Sequence, residues 1–474
     1  MLTTTNNVRN PRTGLLDYTL PVITNTDVQN SCNNLKANQP AWNNSGIQAR
    51  VAALQQWKIA VQKYKQQLIN AIATDTGRMW ETILEVDLVA SSIDRWSAIS
   101  EQLFTPPLTT NSSIPQIQLQ QHLVPFALVG VISPWNFPLL LSLIDTIPAL
   151  LAGCAVLVKP SEVTPRFVTV LQLTISEVPA LQQVLQVIAG NGSVGAAMVQ
   201  HCSLICFTGS TATGHKVYDA ASKAMIPVFL ELGGKDPAIV LQGANLENAT
   251  SSILWGSTAN AGQSCLSIER VYVQQPIFDE FLTLLVAKAS TLKNNNDDIN
   301  GGQIGPIIFE KQAHIINEQL TDAFAKGAKL LYGNEQCQIL NGGYYCLPTI
   351  LINVNHTMLV MQQETFGPII PIMAFETIDD AVHLANDTVY GLSGAVFAAT
   401  VEDATTLALR IEGGAISINE CALTAIMHEG EKNSFKLSGI GGTRMGPNAI
   451  KRFMRQKVLL INNNEKGSGW WYKK

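Results

Sequence analysis

Between residues 127 and 232, short apolar segments alternate with helix-like segments, and this alternation restricts the fold more than any other feature of the sequence. The strand candidates are ALVGVIS, CAVLVK, VLQVIAG, SLICFTG and IPVFLEL, and LLLSLIDTIPALLA is predicted to form one helix between the first two. Strands that alternate with helices form a parallel sheet with right-handed crossovers. Such a sheet binds ligands at the carboxyl ends of its strands, beside glycine-rich loops. The sequence therefore predicts an α/β protein.

The segments on either side extend this prediction. Residues 52–76 and 80–103 have the apolar spacing of helices, and QIQLQQHLVPF alternates like a strand of a β-ribbon. A second α/β block covers about 235–432, with strand candidates PAIVL, RVYVQ, IIPIMAF and GAISIN, and KVLLINNN follows near the end. A chain of 474 residues is too long for one compact core, so two or three domains are expected.

Composition excludes several classes of protein. With 46% hydrophobic and 14% charged residues, the chain can bury a large interior and leave part of its surface for other subunits. A net charge of −5 indicates neither nucleic acid nor an anionic membrane as partner. The polar N-terminus lacks the apolar core of a signal peptide, and prolines and Asp145 interrupt the most apolar stretch, 123–159. We expect a cytoplasmic protein that does not enter a membrane.

The eight cysteines are scattered, which is unlike the dense disulfide framework of a small secreted domain. Reduced thiols are therefore expected. His201, Cys202 and Cys206 flank one predicted buried strand without further ligands nearby, so we predict core packing there and no metal site.

Two glycine-rich segments follow predicted strands. Residues 190–195 fit the pattern G-x-G-x-x-G, although no acidic residue lies about twenty positions further on to bind a ribose. In 207–214, Gly209 permits close approach of the backbone, and the helix that follows offers free N–H groups to a phosphate. Each segment by itself is also compatible with a plain strand-to-helix turn.

Two reactive side chains have suitable neighbours. Cys265 follows the small residues of NAGQS, and a position near a helix start would lower its pKa and favour the thiolate. A lone cysteine is more often a buried small hydrophobe. Glu231 ends an apolar strand, where it could serve as a general base or simply be solvated.

Six segments in the order and spacing of one family resemble the aldehyde dehydrogenase superfamily over nearly the whole chain. They are SPWNFP (133–138), KPSE (159–162), FTGST (207–211), ELGGK (231–235), GQSC (262–265) and ETFGP (364–368). The resemblance implies a Rossmann-like, parallel-sheet NAD-binding domain (1–105, 127–232 and 433–455), a second α/β catalytic domain (233–432) and a small β-ribbon oligomerisation element (106–126 and 456–474). It also implies a homodimer or homotetramer.

The resemblance further implies a mechanism. Cys265 attacks the aldehyde, the Asn136 amide and the Cys265 N–H hold the oxyanion, and Glu231 activates the water that hydrolyses the thioester. Lys159 and Glu162 resemble the residues that bind the adenosine ribose; a carboxylate there disfavours the 2′-phosphate of NADP, so NAD is expected. The other implied cofactor ligands are Gly209, Ser210, Trp135, Glu364 and Phe366.

By the same resemblance, the substrate tunnel is lined by Phe137, Leu141, Ile144, Ser264, Leu266 and Leu423. No Arg or Lys lies within 133–144, 260–267 or 419–427, so an aliphatic or aromatic aldehyde with an uncharged tail is expected. The alternatives are a CoA-acylating aldehyde dehydrogenase, a cysteine hydrolase, and a non-catalytic structural relative. Glu231 favours water as acyl acceptor, and the presence of both Cys265 and Glu231 favours catalysis.

The sequence departs from the family pattern at two places. Ala212-Thr213 replace the usual Glu-Val after FTGST, which is expected to loosen that helix start. The C-terminal family motif survives only as NSFKLSGIGG (433–442), followed by a shifted TRMGP. The tail residues Trp470, Trp471 and Tyr472 are predicted either to be buried at a subunit contact or to extend freely.

Overall fold

The structure, a computed structural model, describes residues 7–103 and 108–463; the tail residues Trp470, Trp471 and Tyr472 lie outside these ranges. The strands are β1 (Asn7–Arg9), β2 (Leu16–Thr19), β3 (Thr109–Asn111), β4 (Ile117–Pro125), β5 (Leu128–Ile132), β6 (Ala155–Lys159), β7 (Leu185–Val187), β8 (Leu204–Thr208), β9 (Val228–Glu231), β10 (Asp236–Val240), β11 (Ile268–Gln274), β12 (Lys329–Tyr332), β13 (Gln338–Leu340), β14 (Gly343–Tyr345), β15 (Thr349–Ile352), β16 (Ile369–Phe375), β17 (Tyr390–Gly391), β18 (Ser393–Phe397), β19 (Ala415–Ile418), β20 (Phe435–Lys436), β21 (Gly439–Ile440) and β22 (Met454–Asn462).

The helices include four that precede the first large sheet and twelve distributed among the later strands of the described ranges. They are α1 (Asn25–Asn44), α2 (Gly46–Lys63), α3 (Lys65–Thr76), α4 (Trp80–Leu103), α5 (Pro138–Leu143), α6 (Thr146–Ala152), α7 (Phe167–Ser176), α8 (Pro179–Gln182), α9 (Gly192–His201), α10 (Thr211–Ala224), α11 (Leu246–Thr258), α12 (Phe278–Ala289), α13 (Glu310–Ala325), α14 (Leu359–Gln362), α15 (Ile378–Asn386) and α16 (Val401–Ala408). Short 3-10 turns occupy Ala259–Gly262, Gln275–Ile277, Leu423–Ala425 and Pro447–Phe453.

The first large sheet has the strand order β21-β9-β8-β5-β6-β7. Its strands are parallel except β21, which pairs antiparallel with β9. Every residue of β5, β6 and β8 is buried, as expected for parallel strands covered by helices on both faces. The five strands predicted for this region are confirmed, and so is the α/β fold class.

The prediction of one helix between β5 and β6 is wrong, because the chain forms α5 and α6 with a break at Ile144 and Asp145. Pro148 explains the break. A proline ring clashes with the carbonyl four residues earlier, here that of Ile144, so one continuous helix cannot form.

The second large sheet has the order β12-β15-β16-β11-β10-β18-β19 and is parallel except for the pairing of β12 with β15. Apolar clusters lie on its two faces. A third, antiparallel sheet consists of β22, β4 and β3, with β22 and β4 paired from Met454↔Pro125 to Asn462↔Ile117. No helix in the described ranges is long and apolar enough to cross a membrane.

Candidate active site

The predicted site residues lie where the two large sheets meet. β9 ends at Glu231 and β10 begins at Asp236, so only four residues separate the carboxyl edge of the first sheet from the amino edge of the second. Lys159 and Thr208 likewise end strands of the first sheet, whereas Cys265 lies just before a strand of the second. The junction therefore brings together residues that are far apart in the sequence.

Cys265 lies in a turn after the 3-10 segment Ala259–Gly262, and its side chain is half-buried while the other seven cysteines are buried. Asn260 and Ala261 both have φ of 53°, in the left-handed region. At Gly262 a Cβ atom would lie 2.3 Å from the Gly367 carbonyl, so only glycine fits. The turn thus presents the thiol at the edge of the second sheet.

The prediction that a helix start lowers the pKa of Cys265 is wrong, because the residue follows α11 and precedes a strand. Burial instead raises the pKa of the Cys265 thiol to about 12. The charge of Glu364 adds to this rise, Lys432 partly offsets it, and Asp236 and Glu231 add further. The thiol is therefore protonated at neutral pH and needs a base before it can act as a nucleophile.

Asn136 lies beside the cysteine turn and is 2% exposed. Its Nδ2 donates to the Gln263 carbonyl at 2.9 Å. Its own carbonyl accepts from Arg78 Nη2 at 2.6 Å and from Asn260 Nδ2 at 3.0 Å. Within 7–103 and 108–463, the Cys265 N–H has no hydrogen-bond acceptor, so it is free to serve beside the Asn136 amide as a second donor.

Gln263 connects this turn to the neighbouring loop at 306–308. Its Nε2 donates to the Pro306 carbonyl at 3.1 Å, and its Oε1 accepts from Ile308 N–H at 2.8 Å. Because all these bonds are buried, they resist displacement by water.

Glu231 ends β9 opposite Thr208 of β8. Its Oε2 accepts a hydrogen bond from Ser434 Oγ at 3.2 Å. Ser434 belongs to the altered C-terminal motif, which therefore still contacts the site.

Glu364 lies over the Gly233-Gly234 turn. Its Oε1 accepts from Gly234 N–H at 3.0 Å, and a Cβ atom on Gly233 would lie 2.8 Å from its Oε2. Burial, with the charge of Glu269 second, raises the pKa of Glu364 to about 8. Glycine at position 233 leaves the space that this carboxyl group occupies.

A buried ion pair holds the Glu364 loop from behind. Lys235 Nζ donates to Glu269 Oε2 at 2.7 Å and to Thr365 Oγ1 at 2.8 Å. Glu269 also accepts from the N–H groups of Thr365 and Phe366, at 2.7 and 2.8 Å. Phe366 has φ of 52°, a strained conformation that these bonds maintain.

On the first sheet, Lys159 Nζ lies 3.1 Å from Glu162 Oε2 at the end of β6. Gly195 of α9 faces Lys159, since a Cβ atom there would be 3.6 Å from the lysine Cδ. The glycine-rich segment 190–195 thus lies beside the Lys159–Glu162 pair.

The FTGST segment connects the end of β8 to the start of α10. Ser210 is the N-cap, and its Oγ accepts from Thr213 N–H at 3.4 Å, so this helix start has a side-chain cap with Ala212-Thr213 in place. Gly209 lies against the Phe207 ring, 2.6 Å from where a Cβ would stand. Trp135 and Phe366 meet edge to face, with ring centroids 5.3 Å apart.

The residues predicted to line the tunnel come from three segments. Phe137, Leu141 and Ile144 lie on or beside α5, Ser264 and Leu266 flank Cys265, and Leu423 begins a 3-10 turn after β19; all six are half-buried. Half-burial is the exposure expected for residues at an open cavity.

Sequence reasoning missed several residues that support the site, namely Arg78, Glu85, Asn260, Gln263 and Glu269. Asn260 and Gln263 belong to the segment NAGQS that precedes Cys265, and a buried polar role could have been inferred from this position. Arg78 and Glu85 gave no such signal, because charges seven residues apart near a helix usually indicate a solvated face.

The shifted TRMGP segment has a structural role. Arg444 donates to Asp145 at 2.8 Å and to Thr208, and Arg452 also pairs with Asp145. The segment therefore ties the α5–α6 break to the end of β8, beside Glu231.

Comparison with known proteins agrees with this geometry. The family model described as "Aldehyde dehydrogenase family" matches residues 2–459. A "Putative succinate-semialdehyde dehydrogenase (NADP+)" of Mycolicibacterium smegmatis is 32% identical over 451 residues, which cover 94% of this chain and 86% of that protein.

Two solved structures are similar over nearly their full length. The structure of a "Putative Aldehyde Dehydrogenase PutA" from Anabaena variabilis has a TM-score of 0.97 and 52% identity, covering 98% of this chain and 99% of that one. Betaine aldehyde dehydrogenase from Staphylococcus aureus, in complex with NAD+, has a TM-score of 0.92 and 28% identity, covering 98% and 93%.

The chain therefore belongs to the aldehyde dehydrogenase family. It is an oxidoreductase that oxidises aldehydes with a nicotinamide dinucleotide.

Proposed function

We propose that the protein converts an aldehyde to a carboxylic acid through a covalent thioester on Cys265. The observation that supports this most is the meeting of a half-buried thiol, the Asn136 amide and the Glu231 carboxylate at the junction of the two sheets. No other cysteine in the described ranges has such exposure.

In the first stage, the Cys265 thiol gives up its proton to Glu231, the proposed acceptor, which releases it to solvent before the second stage, and the sulfur bonds to the carbonyl carbon. The oxyanion that forms would accept hydrogen bonds from the Cys265 N–H and from Asn136 Nδ2, whose position is held by its bond to the Gln263 carbonyl. When bound, the dinucleotide supplies a nicotinamide ring that takes up the hydride released as this adduct becomes a thioester.

In the second stage, Glu231 takes a proton from water, and the water oxygen attacks the thioester carbon. The carbon–sulfur bond breaks, the carboxylic acid leaves, and the sulfur is regenerated. The bond from Ser434 orients the Glu231 carboxylate for this task.

The cofactor residues fit a dinucleotide. We propose that Lys159 and Glu162 bind the adenosine ribose, that Gly209 and Ser210 approach the pyrophosphate at the start of α10, and that Glu364 binds the nicotinamide ribose. Trp135 and Phe366 would pack beside these groups. The start of α10 suits this role because its N–H groups face an exposed, capping serine rather than another protein segment.

We propose NAD as the preferred cofactor, because the Glu162 carboxylate would repel the 2′-phosphate of NADP. One relative is named for NADP and one solved relative contains NAD+, so both cofactors need to be assayed. Glu162→Gln should raise kcat/KM with NADP relative to NAD by about tenfold, which corresponds to ~1.4 kcal/mol. An unchanged ratio would contradict the proposed role of Glu162.

For the substrate, we propose an aliphatic or aromatic aldehyde with an uncharged tail. The residues proposed to line the tunnel are Phe137, Leu141, Ile144, Ser264, Leu266 and Leu423, which include no cation. Hexanal, benzaldehyde, betaine aldehyde and succinic semialdehyde should be compared by kcat/KM. Faster turnover of succinic semialdehyde than of hexanal and benzaldehyde would overturn this proposal.

We also propose that 1–105, 127–232 and 433–455 form the NAD-binding domain, 233–432 the catalytic domain, and 106–126 with 456–474 the oligomerisation element of a homodimer or homotetramer. The pairing of β21 with β9 supports the assignment of 433–455 to the NAD-binding domain. The exposed apolar side chains of Val458, Leu459 and Leu460 support assembly through the β-ribbon. Light scattering of the purified protein would measure the number of subunits.

The two stages can be separated by Glu231→Gln. Because Glu231 is the proposed base in both stages but solvent can also accept the thiol proton, rapid mixing should show a slowed burst of about one NADH per site, followed by turnover ~10²- to 10⁴-fold slower than wild type. Loss of the burst together with turnover would mean that Glu231 is needed to form the thiolate. Acyl-CoA release on adding coenzyme A would instead indicate the CoA-acylating reaction.

A further inference from the structure

We infer that the buried pair Arg78–Glu85 positions Asn136, so that it determines how well the oxyanion is held in the first stage of the proposed reaction. This inference rests on the proposed function of Asn136. Arg78 and Glu85 touch neither the proposed nucleophile nor the proposed base, and we assign them a positioning role.

The first observation is that a single nitrogen of Arg78 connects the pair to Asn136. Arg78 Nη2 donates to Glu85 Oε1 at 2.9 Å and to the Asn136 carbonyl at 2.6 Å. The two side chains are 3% and 1% exposed. Because water cannot replace these bonds, removing the guanidinium would leave the Asn136 peptide without one of its two donors.

The second observation is that Glu85 holds the segment directly after Asn136. Its Oε2 accepts from the N–H groups of Leu139 and Leu140, both at 3.1 Å. These N–H groups belong to the first turn of α5, where the helix itself offers them no acceptor and the N-cap, Phe137, has no capping side chain. The carboxylate therefore fixes where α5 begins, two residues beyond Asn136.

The third observation is that Arg78 also lies against the residue between these two points. Its guanidinium carbon is 4.7 Å from the centre of the Phe137 ring. Residues 136, 137, 139 and 140 therefore all contact one ion pair. Asn136 also bonds to Asn260 and Gln263 of the cysteine turn, so we infer that the pair affects the position of Asn136 relative to Cys265.

A contribution to folding stability does not explain why the protein keeps this buried ion pair. Replacing a buried ion pair by apolar residues is often neutral or stabilising. A contribution to the geometry of Asn136 gives a physical reason for charged groups at this place.

The test compares Arg78→Met with a matched variant, Arg166→Met. Arg166 also pairs with a buried carboxylate, Asp75, which likewise accepts a backbone N–H at a helix start, that of Arg166 itself at 2.7 Å. Both arginines precede the second sheet in the sequence, but within 7–103 and 108–463 no hydrogen bond or ion pair joins Arg166 or Asp75 to Asn136. Both variants should lose stability, and their melting temperatures should be measured beside their kinetics.

The kinetic readout is the rate constant of the NADH burst, measured by rapid mixing with saturating NAD and hexanal. We expect Arg78→Met to lower it ~10- to 100-fold, since small misplacements of catalytic groups have effects up to about 10²-fold. Arg166→Met should change it less than about threefold. Arg78→Lys, which keeps the charge opposite Glu85, should recover part of the loss.

The decisive measurement repeats Arg78→Met in the Asn136→Ala background. If Arg78 acts through the Asn136 amide, its effect on the burst should disappear there, because that amide is already absent. An undiminished effect, or an equal fall in Arg166→Met, would overturn the inference. If Arg78→Met does not fold, Arg78→Met/Glu85→Gln removes the charge imbalance, and the same cycle applies to it.

Different results would contradict the proposed mechanism and the positioning role of Arg78. A wild-type enzyme without any NADH burst, or an Asn136→Ala variant with a normal burst, would contradict the proposed mechanism itself. A normal wild-type burst that depends on Asn136 but not on Arg78 would contradict only the positioning role.

Discussion

The two large sheets contribute to the site from opposite ends of their strands. In the first sheet, Lys159, Thr208 and Glu231 are the last residues of β6, β8 and β9. In the second sheet, Gly234 and Cys265 precede β10 and β11, and the Glu364 loop precedes β16. The rule that parallel sheets bind ligands at the carboxyl ends of their strands thus locates only half of this site.

The two halves also differ in how their backbone is held. Among the described residues, the loops of the second sheet contain non-glycine residues with positive φ at Asn260, Ala261, Phe366, Asn419 and Ala422. The loops at 133–137, 160–166 and 208–210 of the first sheet contain none. Buried bonds to Glu269 and Gln263 hold Phe366 and Asn260 in this conformation, so the second sheet's side of the site depends on these side-chain contacts.

The largest effect should come from the nucleophile of the second sheet. Cys265→Ala should lower NADH formation by ~10⁴-fold or more, because no other group can form the thioester. Binding of NAD, measured by calorimetry, should remain within about threefold of wild type. Cys154→Ala is the matched control in the first sheet and should stay active; substantial turnover by Cys265→Ala would contradict the mechanism.

The next effect compares one lysine from each half. Lys235→Met should cost about 3–5 kcal/mol in the free energy of unfolding, because it leaves Glu269 buried without its cation. Lys159→Met should cost about 0–1 kcal/mol, because Glu162 is 45% exposed, and should mainly weaken cofactor binding. Urea unfolding would measure the free energy of unfolding of both variants, and NAD titration would measure their cofactor affinity. Equal losses of stability would contradict the expected difference between the two lysines.

A smaller effect compares two glycines. Gly234→Ala would place a Cβ atom 2.3 Å from the Cys265 carbonyl oxygen, so we expect a loss of about 1–3 kcal/mol and slower thioester formation. Gly192→Ala, at the start of α9, meets no atom within 4 Å and should stabilise the protein by about 0.4–1 kcal/mol. Thermal unfolding would measure both effects. A Gly234→Ala variant as stable as wild type would contradict the close approach of Gly234 to the Cys265 carbonyl.

The last effect concerns pH. Because burial raises the pKa of Glu364 to about 8, from about 4.5 when unfolded, the native state holds an extra proton between these values. That contribution to stability is complete below pH 4.5 and is lost as the pH rises through 8.

Glu364→Gln should therefore flatten the fall in stability between pH 5 and 8.5, by at most ~1.4 kcal/mol per pH unit. Asp75 and Glu85, whose pKa values burial raises to about 7, should keep the remaining slope in both proteins. Identical slopes for variant and wild type, measured by urea unfolding, would contradict the burial of Glu364.

Much of the fold could be predicted because its strands are apolar and its helices periodic. β5, β6, β8, β16 and β19 fall within predicted segments, β10 and β11 begin one and two residues before theirs, and α4 occupies the predicted range 80–103. β18, with sequence SGAVF, was missed because it has a glycine and a serine at its start and little β-branched character. The break between α5 and α6 differs from the prediction because the apolar spacing of 139–152 is helical throughout, whereas Pro148 excludes one continuous helix.

The sequence by itself determined the family, the α/β class and the identity of the reactive groups, because these depend on residue types at fixed spacings. Only the tertiary structure decided the environment of Cys265, whose pKa reflects burial and nearby carboxylates instead of a helix start. It alone also placed Arg78 beside Asn136, 58 positions further along the chain. Burial and contacts between distant segments arise from packing, and local spacing does not encode them.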